Sequence, residues 1–88
     1  MKPGELCTWK EVTADTSNLV FCYRSPGPSV SGSSFLHDRN INDLYLVLRH
    51  EEYPDPVPEL GPIRLVRLMQ RNGTIILTHP ENLKVVNP

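Results

Sequence analysis

Apolar and polar residues alternate with a period of two along much of this chain. Nowhere do they take the three-to-four-residue spacing of an amphipathic helix. The last third is the clearest stretch. Residues 63–70 (IRLVRLMQ) lead into Asn72-Gly73, and the chain returns as Thr74-Ile75-Ile76-Leu77-Thr78. After a Pro-led turn it leaves as Lys84-Val85-Val86. Asn-Gly between two apolar runs predicts a β-hairpin, because both central residues of a type I′ turn need positive φ.

The same reading predicts strands upstream. Residues 5–12 form the first, with Cys7 and Trp9 on one face and Leu6 and Thr8 on the other. Leu19-Val20-Phe21-Cys22-Tyr23 is a compact β run of branched and aromatic residues. Residues 42–49 alternate, with Leu44, Leu46 and Leu48 expected inward and Tyr45, Val47 and Arg49 outward. Arg64 and Arg67 have an odd spacing and cannot share a face of a regular strand, so a bulge or twist is expected between them. Residues 78–83 suit a single 3₁₀ turn. The expected core is Trp9, Leu46, Leu48, Leu65, Leu77 and Val85.

Two biased segments interrupt these runs. Residues 25–34 are rich in Pro, Gly and Ser and read as an irregular loop. Residues 50–61 read as a second loop, stiffened by Pro54, Pro56 and Pro58. The chain has 88 residues, which bounds it to one domain, 1–88. Its net charge of −1 removes any bulk electrostatic case for nucleic acid or an acidic membrane. No apolar run approaches the ~20 residues of a membrane helix, and the N-terminus has no signal-peptide pattern. The protein is therefore expected in a cytoplasm, without membrane contact. Cys7 and Cys22 are expected to be free thiols with packing roles.

Candidate chemistry is sparse. His37, His50, His79 and the cysteines lack metal-ligand spacing, and no Gly-rich phosphate loop precedes a helix. Ser33, His37 and Asp38 have triad side-chain types, but triads assemble from separate elements rather than from one short run. No catalytic residue, metal or cofactor is expected. Two binding surfaces remain. The loops at 25–37 and 51–60 offer Val30, Phe35, Tyr53, Pro54, Pro56 and Val57 as anchors for a protein partner, with rigid prolines lowering the entropy lost on docking. Arg49, Arg64, Arg67 and Arg71 form a strand-borne basic set for nucleic acid, with Tyr45 and Tyr53 available to stack. The same arginines also suit an ordinary charged surface that blunts sheet edges.

The order of these elements resembles the SH3-like barrel. Pro3-Gly4-Glu5-Leu6-Cys7-Thr8-Trp9 looks like its opening strand, Asn72-Gly73-Thr74 like its distal hairpin, and Pro80 to Val86 like its closing turn and strand. The chain is similar over 3–9, 44–49 and 63–86 to small SH3-like proteins of tailed bacteriophages, especially those of marine bacteria and cyanobacteria. It departs from them in a long first loop, residues 13–41, and in Cys7 where a branched residue is usual. The resemblance implies an all-β, small antiparallel barrel. It further implies a non-enzymatic interaction or assembly module, a minor virion or accessory protein. Such a protein works in the host cytoplasm or virion, with virion components or copies of itself as partners. A nucleic-acid-binding barrel is the alternative, and a small hydrolase-like enzyme stands third.

Overall fold

The computed structural model describes residues 1–10, 18–28, 32–40, 42–54 and 61–86. Among these residues seven strands carry the fold: β1 (Leu6–Trp9), β2 (Leu19–Arg24), β3 (Ser34–Asp38), β4 (Tyr45–Tyr53), β5 (Ile63–Gln70), β6 (Ile75–Thr78) and β7 (Leu83–Val85). The only helical element among the described residues is a 3₁₀ turn at Pro80–Asn82, with Pro80 leading it and Glu81 in its first turn. No helix among the described residues is long and apolar enough to cross a membrane.

All pairings are antiparallel and build one curled, barrel-like sheet in the order β3-β2-β6-β5-β4-β1-β7, open between β3 and β7. The concave face holds one core: Cys7 and Trp9 of β1, Val20 and Cys22 of β2, Tyr45 and Val47 of β4, Val66 and Leu68 of β5, with Ile76 and Leu83. Leu65 and Leu77 are equally buried but stand on the other face, so the sheet is covered on part of both sides.

The β5–β6 hairpin forms where Asn72-Gly73 predicts it, but not with a type I′ turn. Among the described residues only glycines have positive φ, and Gly73 is at 89°. The Gln70 carbonyl accepts from the Gly73 N–H at 2.9 Å, and the Gln70 N–H donates to the Thr74 carbonyl at 2.8 Å. This is a three-residue loop of the type I plus left-handed glycine kind. Asn72 turns its side chain to accept the Thr74 N–H at 3.0 Å, a local bond that holds the turn without left-handed backbone at Asn72.

Two readings of face are corrected. Tyr45 and Val47 point inward and Leu44 is exposed, the reverse of the expected phase, while Leu46, Leu48 and Val85 are only partly buried. Both phases of residues 44–48 are apolar enough to bury. Tyr45 wins because the sheet end supplies partners for its hydroxyl. The bulge is also on the other strand: pairing slips between Val47↔Leu68 and Arg49↔Arg67, leaving Leu48 extra on β4. An inserted residue exchanges the faces beyond it. Val47 therefore faces the core, whereas Glu51, an even number of residues further on, lies with Arg67 on the convex face.

Candidate functional site

Three places gather polar or exposed apolar side chains. The first lies on the convex face of β4 and β5. β4 runs to Tyr53, so Glu51, Glu52 and Tyr53 are strand residues and not part of the loop that their composition suggests. Glu51 accepts from Arg67 Nε at 2.6 Å and Nη2 at 3.0 Å, and from Arg49 Nε at 2.5 Å. The Tyr53 hydroxyl donates to the same carboxylate. Arg67 also donates from Nη1 to Ser25 Oγ and from Nη2 to the Pro26 carbonyl, both at 3.1 Å, which ties the loop after β2 to the sheet. Gly27 sits under the Tyr53 ring, where a Cβ would meet the hydroxyl at 2.8 Å. The Arg67 hydrogen bonds, chiefly, hold the Glu51 carboxyl down at about 2, and the Glu51 bonds raise Arg67 in turn.

This arrangement breaks up the basic set. Arg67 has a side chain only 13% exposed and is paired. Arg49 is exposed but shares Glu51, and Arg64, also exposed, pairs with Glu52 at 3.0 Å. Arg71 stands apart, in the β5–β6 turn. The expected docking anchors are dispersed too. Tyr53 is engaged by Glu51, Phe35 packs against the core under Arg24 at 4.6 Å, and Pro54 is exposed. Val30, Pro56 and Val57 lie outside the described residues.

The second place is an open cleft of about 820 Å³ at one end of the sheet, lined by His37, Asp43, Tyr45, Gln70 and Arg71 among others. Tyr45 Oη donates to Asp43 Oδ2 at 3.1 Å and lies 3.2 Å from His37 Nε2, whose Nε2–H tautomer completes the network. Burial, then the Asp43 charge, raises the Tyr45 phenol above its ordinary range. The Trp9 indole N–H, buried and without a well-formed hydrogen bond, lies near enough to oppose that rise. A phenol held protonated serves as a donor rather than a base. The Ser33, His37, Asp38 set does not converge: His37 faces Trp9 while Asp38 is exposed on the other face. No group of three or more His, Cys, Asp or Glu among the described residues is placed to hold a metal.

The third place was not anticipated as a surface. Leu19, Phe21 and Leu36 stand exposed on the convex face of the β2–β3 hairpin, Leu36 at 62%. Phe21 pairs with Leu36 across the strands and stacks edge-on with Tyr23 at 5.2 Å. β3 is an edge of the sheet. The signal lay in Leu19-Val20-Phe21-Cys22-Tyr23. Its odd positions are as apolar as its even ones, so one face had to be left without a core to enter. Comparison with family models, with curated proteins and with solved structures finds no match to this chain.

Proposed function

We propose that this protein is a non-enzymatic interaction module that docks a protein partner through the convex face and open edge of the β2–β3 hairpin. The observation that carries this is the apolar strip of Leu19, Phe21 and Leu36 beside the outer edge of β3, where no strand pairs among the described residues. Contiguous exposed apolar surface of this kind marks contact sites. The loops support the docking less well, because Tyr53 and Phe35 are engaged within the fold and only Pro54 of the described anchors is exposed. The strand arginines support it no better, since three of the four are held in ion pairs with Glu51 and Glu52, which cancel two of their charges. The setting proposed with it is a tailed bacteriophage, as an accessory or minor virion protein, on the resemblance of residues 3–9, 44–49 and 63–86 to such barrels.

The test is site-specific photo-crosslinking of the intact chain in host lysate, from position 36 and from position 64, with and without nuclease. Protein adducts from position 36, lost when Leu19→Ser/Phe21→Ser is added, are expected. A short fluorescent single strand should show no salt-sensitive binding. Nuclease-sensitive adducts from position 64 alone would replace this reading with nucleic-acid binding.

A further inference from the structure

The free edge of β3 has a definite hydrogen-bonding phase. In the β2–β3 pair the Arg24 N–H donates to the Ser33 carbonyl and the Arg39 N–H to the Asn18 carbonyl, each at 2.8 Å. Bonded pairs alternate along an antiparallel ladder, so residues 33, 35, 37 and 39 turn their backbone groups toward β2. Ser34, Leu36 and Asp38 therefore turn theirs away, to a side where no strand pairs among the described residues. Their side chains stand on the convex face, beside Phe21.

Sheet edges are usually guarded by lysine or other charged side chains, proline, a bulge or shortness. β3 has no lysine, proline or bulge and its one acid, Asp38, stands at its end: its sequence is Ser-Phe-Leu-His-Asp, and its register with β2 runs unbroken over five pairs. The opposite edge, β7, is only three residues long.

From this we infer that the partner is a second copy of the same chain, paired antiparallel to the first through β3 about a two-fold axis at Leu36. The inference rests on the docking reading above and names its partner. The pattern is self-complementary. With Leu36 opposite Leu36 of the second copy, Ser34 falls opposite Asp38 of that copy, and Asp38 opposite its Ser34. Each Ser hydroxyl then faces a carboxylate that accepts its hydrogen bond. The free N–H and C=O groups of residues 34, 36 and 38 satisfy one another in bonded pairs. On the convex face the two Phe21–Leu36 pairs join into one apolar strip across the axis. A two-fold contact of this kind is isologous and closes at two copies, which leaves no further β3 edge to extend the sheet.

The register predicts which cysteines cross-link. In the intact chain, mild oxidation of Leu36→Cys should give a disulfide-linked dimer, because bonded antiparallel pairs hold Cα atoms about 5.5 Å apart, within disulfide reach. Ser34→Cys alone and Asp38→Cys alone should not, whereas a mixture of the two should give the mixed dimer. Cys7 and Cys22 are buried and stay out of the reaction. In parallel, sedimentation velocity over a concentration series should show a reversible dimer. Leu36→Pro removes the outward N–H, which β2 does not use, together with the leucine at the centre of the strip, and should raise the dimer dissociation constant at least about tenfold. Near-ultraviolet circular dichroism verifies that the variant stays folded. A parent chain that remains a monomer at every concentration would overturn the inference, as would a dimer that cross-links equally from Ser34→Cys alone. Should the chain be monomeric while position 36 still cross-links a different protein, the second copy is wrong and the docking surface stands. Absence of both means that the docking reading itself has failed.

Discussion

Arg67 grips Glu51 with two parallel hydrogen bonds, and Glu51 reaches that grip only because Leu48 is a bulge. The pair holds the Ser25–Pro26 segment and the Tyr53 hydroxyl to the convex face. Its pH dependence has a definite sign. The folded carboxyl, at about 2 instead of an ordinary 4.5, binds its proton less readily than the unfolded one. Its contribution is complete above the unfolded value and is lost as pH falls toward 2. With both side chains largely shielded from solvent, that contribution is on the order of 2–3 kcal/mol. Urea melts at pH 5 and pH 2.5 should show a smaller acid loss for Glu51→Gln than for the parent.

Burial ranks the core leucines differently from alternation. Leu68 is fully buried in the concave core, while Leu46 is partly exposed. Leu68→Ala should cost about 2–5 kcal/mol, and Leu46→Ala should fall below that range. The midpoints of urea unfolding decide the order, and equal losses would put residues 44–48 back in the opposite phase.

Gly73 is the turn residue that tolerates no side-chain conformational penalty. A Cβ there has open space around it, so the cost of Gly73→Ala comes from the φ of 89° alone. About 1 kcal/mol is expected. Asn72→Gly should do less harm, because Asn72 has negative φ and contributes only a local side-chain bond. Thermal melts of both variants compare them directly.

Cys7 and Cys22 are both fully buried, and burial pushes each thiol up to about 11 from 9.0. The folded thiols hold their protons more tightly than unfolded ones, so their contribution is complete below pH 9 and is lost as pH rises toward 11. Native protein at pH 8 should react with a thiol reagent only as fast as it unfolds. Urea should accelerate the reaction, and a Cys7→Ala/Cys22→Ala variant should flatten the alkaline decline.

The strands, the hairpin and the 3₁₀ turn were legible because each has a local cause: β-branched runs, Asn-Gly, Pro80 before Glu81. What escaped depends on pairing across the chain. The inward choice of Tyr45 over Leu46 rests on Asp43 and His37 standing beside its hydroxyl. The place of the bulge was misjudged because Arg64 and Arg67 were read as one surface; β5 is regular, and the odd spacing sets them on opposite faces, Arg67 against Glu51 and Arg64 against Glu52. The strand at residues 34–38 was seen only as returning order, since its partner β2 lies across a Pro-Gly-Ser segment. The basic set looked like a surface because Glu51 and Glu52 were assigned to a loop, and one extended strand moves both acids among the arginines.

The strand order also sets a schedule. β2 is held to the rest of the sheet by pairs with β6 such as Cys22↔Thr78, so the β2–β3 hairpin waits for the C-terminal third of the chain, whereas β1 can join β4 through Cys7↔Tyr45 before β7 arrives. Folding dominated by such distant pairings is slow. During synthesis the β2–β3 hairpin emerges long before β6 can cover its concave side. In that interval it shows apolar residues on both faces and is most exposed to misassembly.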